Sequence, residues 1–392
     1  RNQTKGMKRK RVALLVETSL ASGREILRGI AKYARETNEW ELYHIAGGLE
    51  SSLPNWSSRW SGDGIIARFQ SQDLVEKLRV LEIPVVDVLG EVEESEFPLV
   101  HVDDQQIARM VAEHFREKGF RQFAFYGIRG ENWSRLRLEG FRAACGQEVP
   151  YLESERVIRD DPEEDFAALR TWVKDLPKPV GIFVASDQRG LVLLEACRAE
   201  EIVVPQEVAV VGVDNDVPLC EISSPSLSSV RAGHFQVGYE AAKCLDQQMQ
   251  GERASMEPLL VSPTSLVVRG SSDSVPIQDT VVAAGVHYLQ QHLSESITNE
   301  DIARAAGVSR TLFQQKFLQE MGCSVRQYLV RCRLERARML IATSDLTFVD
   351  IAQRCGFKHQ EYLGDVFKKH YGQTPGQWRK SEENALGRDD LE

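Results

Sequence analysis

No run in this 392-residue sequence approaches the ~18 consecutive apolar residues of a membrane-spanning helix, so a membrane role is not expected. The basic stretch Arg1 to Arg11 leads into only five apolar residues, Val12 to Val16, fewer than the ~7–15 of a secretory leader. Cysteine is sparse: the seven, at 145, 197, 220, 244, 323, 332 and 355, form no CxxC pair. An odd, scattered set suits reduced thiols rather than a disulfide framework, and the expected location is the cytoplasm. Catalytic fingerprints are missing too. There is no GxSxG, HExxH, Walker or dinucleotide loop, and the eight histidines fall in no metal-ligand spacing. No enzyme chemistry, cofactor or metal is therefore expected.

Positive charge is also in deficit: Lys and Arg number 48 against 58 Asp and Glu, a formal charge of -10. Taken whole, that balance argues against nucleic acid, but location matters more than the sum. Residues 281–380 hold 14 basic against 9 acidic residues, whereas residues 1–280 hold 33 against 44. One basic segment is set inside an acidic protein, the pattern of a polyanion-binding module joined to something else.

What is present divides the chain. Its length exceeds what a single hydrophobic core serves. Up to about residue 270, short β-branched runs alternate with helical periodicity, and strands are expected at Val12 to Val16, Gly64 to Ala67, Val85 to Val88, Phe123 to Tyr126, Gly181 to Ala185 and Val208 to Val213. A helix is expected over Arg24 to Ala34, started by a Ser22/Glu25 capping box. Strand then helix, repeated, implies parallel sheets covered on both faces. The polar stretch at 271–279, which contains Pro276, reads as a linker. Beyond it only helical patterns occur, so an all-α domain is expected over 280–380. The acidic, unpatterned residues 381–392 read as a disordered tail.

The helical segment contains a repeat. Thr298-Asn299-Glu300-Asp301-Ile302-Ala303, with Gly307, returns as Thr347-Phe348-Val349-Asp350-Ile351-Ala352, with Gly356. In each copy Thr-x-x-Asp caps a helix start, Ile-Ala supplies a close-packing face, and Gly permits a tight turn into a second helix. That is helix-turn-helix grammar written twice. A second helix lying in the major groove would present Ser309, Arg310, Thr311, Gln314 and Gln315 in the first copy, and Lys358, His359, Gln360 and Glu361 in the second. Lys316, Lys368 and Lys369 suit phosphates. A helix of about 18 residues between the copies, roughly 27 Å long, would let one chain read two adjacent grooves.

In the first domain, polar residues recur at the carboxyl ends of expected strands, where open α/β sheets place their ligand crevice. They are Glu17, with Arg24 on the helix that follows, then Trp133, Arg135 and Arg137, and finally Asp187 and Asp214. Groups that bond several hydroxyls, beside an aromatic wall, suit a sugar. The same two aspartates could instead serve a carbohydrate-active enzyme as its carboxylate pair. A transport protein of this fold would have no use for residues 281–380.

Two resemblances sharpen these readings. Ile351-Ala352 through Gly356-Phe357, followed by Phe367-Lys368-Lys369-His370-Tyr371-Gly372-Gln373-Thr374-Pro375-Gly376-Gln377-Trp378-Arg379, resembles the signature of the AraC/XylS family of bacterial transcription activators. It implies promoter DNA as a partner, with RNA polymerase beyond it. Glu117 through Gly127, Val211 through Asp216, Leu227 through Val230 and the Arg137-x-x-Gly140-Phe141 element resemble a LacI/GalR-type effector domain. That family implies a two-lobed, periplasmic-binding-protein-like fold over residues 8–270, crossed three times by the chain. It also implies a ligand held by Arg137, Asp187 and Asp214, and a homodimer. Effector domain first and AraC-type domain last resembles bacterial pentose-responsive regulators and implies D-xylose as effector.

Overall fold

Buried β-branched runs build the first part of the chain. In the computed structural model, residues 9–37, 39–45, 60–92, 95–155, 162–274 and 276–381 are described. The chain divides into two units after Pro276. In the first unit, β1 (Lys10–Leu15), β3 (Gly64–Ala67) and β4 (Val85–Asp87) form a parallel sheet with β2 (Trp40–His44), in the order β2-β1-β3-β4. α1 (Ala21–Thr37) and α2 (Gln72–Arg79) follow β1 and β3. The second sheet runs β12-β10-β9-β8-β6-β7. Its strands are β6 (Gln122–Ile128), β7 (Tyr151–Ser154), β8 (Val180–Val184), β9 (Val208–Val213), β10 (Ser228–Arg231) and β12 (Ser265–Val267), parallel except for β12.

Three passages join the two lobes. The chain leaves the first sheet through β5 (Val100–Val102) and α3 (Asp104–Lys118), returns in α8 (His234–Met249), which packs on α1, and leaves again through β11 (Leu259–Val261). β5 and β11 pair in parallel as a separate ribbon. Edge-to-face and tilted contacts among Phe115, Phe120, Phe141 and Phe183 fix α3 and α4 (Asn132–Cys145) on the second sheet. That packing holds α4, and with it Trp133 and Arg137 on its first turns.

Two expectations are corrected. α1 starts at Ala21, ahead of the Ser22/Glu25 pair expected to cap it; Ser22 is buried, its hydroxyl 3.4 Å from the Arg68 guanidinium. The stretch expected to be linker from 271 begins inside the first unit. The Ser271 hydroxyl donates to the Val210 carbonyl at 2.6 Å, and the Ser272 hydroxyl lies 2.8 Å from both Ser228 Oγ and His114 Nε2. Small polar composition suggests a loop, but serine also satisfies buried backbone groups, and here it does so at a strand edge. Of the expected tail, only Ser381 lies among the described residues.

The second unit is helical: α9 (Thr280–Gln291), α10 (Asn299–Ala305), α11 (Arg310–Met321), α12 (Val325–Thr343), α13 (Phe348–Arg354) and α14 (Gln360–Tyr371). Asp279 caps α9, Thr298 and Asp301 form the expected capping box of α10, and the Thr347 hydroxyl accepts from Asp350 N at α13. Gly307 and Gly356 take left-handed φ of +72° and +77° at the two turns, the conformation that side chains resist. The second turn is one residue longer, so the helices that follow are offset by 50 positions where the first helices are offset by 49. α12 serves both copies. Its Tyr328 meets Phe317, while Leu334, Ala337 and Ile341 pack with Ile351, Leu363 and Phe367.

Candidate functional site

Between the lobes of the first unit lies a cavity of about 130 Å³. A space of that size admits a small molecule rather than a macromolecular chain. The second lobe supplies Trp133 and Arg137 from α4, Asp187 from the start of α6 (Asp187–Ala199), and Asp214 just after β9. The first lobe supplies Arg68 after β3 and His234 at the start of α8, with His101 from the connecting β5.

Helical spacing explains α4. Trp133 and Arg137, four residues apart, share a face, and the guanidinium carbon sits 4.9 Å from the Trp133 ring centroid. Arg137 is buried, with Nε donating to Asp104 Oδ1 at 2.7 Å and Nη1 to the Ala185 carbonyl. Burial pushes the Asp104 carboxyl up, but Arg137 and His101 outweigh it and hold it below the ordinary range.

Asp214 is the more accessible carboxylate. Its side chain is 19 % exposed and it accepts from His234 Nε2 at 2.9 Å. Burial pushes it up, yet the His234 hydrogen bond and the charges of Arg137 and Arg68 hold it at about 2. Burial, with Arg68 and His101 nearby, outweighs the Asp214 carboxylate and keeps His234 below its usual value. Asp187 behaves oppositely. Burial, then the charge of Asp214, pushes it up to about 7, and both its oxygens are engaged: Ser229 Oγ donates to Oδ1 at 2.6 Å and Asp216 N to Oδ2 at 2.7 Å. Carboxylates pushed apart in this way resemble an acid/base pair. An acid whose oxygens are both taken up by protein donors, however, is set to hold the site's backbone rather than to protonate a leaving group.

The structure therefore brings together four of the seven expected ligand residues, Trp133, Arg137, Asp187 and Asp214. Glu17 is buried in an ion pair with Arg68 and does not line the cavity. Arg24 bonds the Thr18 and Ser19 carbonyls and reaches Asp216 at 3.2 Å, outside the lining. Arg135 points away, bonded to Glu139 and Asn132, because two residues along a helix is the opposite side. Arg68, His101 and His234 join the site from distant elements, and no local motif marks them.

In the second unit, Arg310, Thr311, Gln315, Lys358, His359, Gln360, Glu361, Lys368 and Lys369 are exposed, and Gln314 is half-buried. Ser309 caps α11, accepting from Leu312 N, and Arg310 pairs with Glu300. Lys316, expected at phosphate, forms an ion pair with Asp279, the cap of α9. A groove between α12 and α14 adds Arg326, Arg331 and His370 beside Lys369.

Comparison with known proteins agrees with this division. The XylR N-terminal domain family matches residues 11–106, the periplasmic binding protein-like domain family residues 112–272, and a helix-turn-helix domain family residues 302–381. A two-lobed binding-protein fold joined to paired helix-turn-helix units defines a ligand-responsive transcription regulator, not an enzyme. The xylose operon regulatory protein of Escherichia coli (strain K12) is 30% identical over 383 residues, covering 95% of this chain and 97% of its own. Its Haemophilus influenzae counterpart is also 30% identical, covering 94% and 98%. The solved structure of a xylose-binding transcription activator XylR superposes with a TM-score of 0.83 at 28% identity, covering 95% and 98%. The chain belongs to the family of xylose operon regulatory proteins. Among the described residues, no helix is long and apolar enough to cross a membrane.

Proposed function

We propose that the protein is a cytoplasmic, D-xylose-responsive activator that binds promoter DNA as a homodimer through α11 and α14 and acts through RNA polymerase. The observation that carries the sugar is the cavity itself. It is walled by Trp133, with an ionised Asp214 as acceptor and Arg137 and Arg68 as nearby donors, while His234 orients Asp214. The printed names of the relatives supply xylose as the choice among sugars.

Arg137 and Asp214 belong to one lobe, Arg68 and His234 to the other. A sugar bonded to both sets favours the closed arrangement, and only its higher affinity for that arrangement shifts the equilibrium. Exposed Arg310 and Gln360, near the starts of α11 and α14, suit base edges, and Lys368 suits phosphate.

Calorimetric titration of the full chain with D-xylose, L-arabinose, D-ribose and D-glucose tests the sensor. Selective xylose binding that strengthens binding to promoter DNA is expected; binding of none of the four would refute the sugar reading.

A further inference from the structure

A second cavity, of about 220 Å³, adjoins the first, and Leu89, His101 and Trp133 line both. It is lined by the first turns of α3 and α4 and by the half-exposed Leu260 of β11, and it opens to solvent. Its chemistry is mixed: Leu99, Leu136 and Leu260 with the Trp133 ring offer apolar surface, while Gln105 offers a polar side chain.

Behind its wall His101 Nε2 and Asp104 Oδ2 face each other at 3.5 Å as a buried ion pair, so the polar group a ligand would meet here is the exposed Gln105 side chain, beside the Trp133 ring. An aromatic wall, leucine methyls and a few polar groups are what a sugar ring asks of its binding site.

We propose that this second cavity binds a second sugar ring, so that the effector class includes a disaccharide whose rings lie on either side of Trp133, or two separate monosaccharides. The proposal rests on the sugar reading of the first cavity. The recognition is the same for both sources, and stoichiometry separates them.

The test is calorimetry of the full chain with D-xylose and with β-1,4-xylobiose, on the wild type and on Leu136→Trp, which fills the second cavity without touching the first. A disaccharide source predicts xylobiose binding at one equivalent, weakened at least tenfold by Leu136→Trp while xylose affinity changes less than threefold. Two monosaccharides predict two equivalents of xylose, with the weaker one lost in the variant. If Leu136→Trp fails to fold, Gln105→Ala, an exposed change, is expected to weaken the same event at least threefold. One equivalent of xylose with no xylobiose heat overturns the second ring and leaves the first cavity standing. Second-ring binding that neither variant weakens also overturns it. No heat with either sugar overturns both readings.

Discussion

Asp214 is the partly exposed carboxylate of the cavity, and the effect of its ionisation has a definite sign. Its carboxyl, held at about 2, titrates below the ordinary ~3.9, so ionising it favours the folded state by about 2 kcal/mol. That contribution is fully present above pH ~4 and is lost as pH falls toward 2. Asp187, raised to about 7, acts in the opposite sense: its contribution is present below pH ~4 and declines as pH rises through 7. Asp214→Asn is expected to weaken sugar binding by at least tenfold in calorimetry, since hydrogen bonds to charged groups contribute about 1.5–3 kcal/mol. It should also reduce the acid-side rise in urea stability, with Asp104 still contributing to it, and shrink the decline above pH 4, because the charge that helps to raise Asp187 is removed. An unchanged acid-side slope would show that Asp214 is not held low. The sequence made the second lobe's residues legible, because each follows a recognisable buried strand. It was silent on Arg68 and His234, whose partners Glu17 and Asp214 are distant in the chain, and on His101, whose partner Asp104 is only three residues on but which reaches the cavity from a three-residue strand with no motif of its own. Arg135 misled for a simpler reason: a helix turns it away from its neighbours Trp133 and Arg137.

Among elements, the six expected strands are those buried on both faces, as their continuous β-branched runs imply. The strands the sequence did not reveal are edges, as in β2 and β7, or three residues long, as in β5 and β11. β10 escaped notice despite its interior position, because two of its three buried residues are Ser228 and Ser229, whose hydroxyls bond Ser272, Arg269 and Asp187, and only Val230 is β-branched. The repeat was legible because capping residues, small residues and turn glycines are local signals. The structure also ranks the two turns. A Cβ on Gly307 meets open space, whereas one on Gly356 would lie 2.4 Å from the Leu293 carbonyl and 2.8 Å from Arg333, whose guanidinium donates to the Leu293 and Glu295 carbonyls. Gly307→Ala is therefore expected to cost only left-handed strain, about 1–2 kcal/mol. Gly356→Ala adds a backbone clash and should disturb the Arg333 tie between the two copies. Thermal melts should rank Gly356→Ala well below Gly307→Ala, and gel shifts should show it losing DNA binding with sugar affinity intact. Equal melting points would remove the clash from the account.

For the molecule as a whole, the question is how an event in the cavity is felt where the chain leaves the first unit. Asp214 and Asn215 both take positive φ, +99° and +49°, a strained pair that neighbouring bonds must hold in place. Asn215 N donates to Ser229 Oγ, which itself donates to Asp187, and Asn215 Oδ1 accepts from Arg269 Nη2 at 2.8 Å. Arg269 in turn exchanges backbone bonds with the Ser228 hydroxyl, which meets Ser272 four residues before Pro276. The loop carrying the cavity's Asp214 carboxylate and the exit of the domain are thus tied through one arginine. Linkage requires that sugar tighten DNA binding by the same factor by which DNA tightens sugar binding. Arg269→Met keeps much of the aliphatic stem and removes the guanidinium bonds to Asn215 and the Leu227 carbonyl. Its expected result is a sugar affinity within about threefold of wild type in the absence of DNA, and a coupling factor reduced at least threefold in both directions. The coupling is measured by calorimetry with and without promoter DNA and by DNA titrations with and without xylose. A coupling factor unchanged in the variant would mean that the exit segment takes its position from elsewhere in the domain, with Asn215 and Arg269 serving only to hold the strained loop.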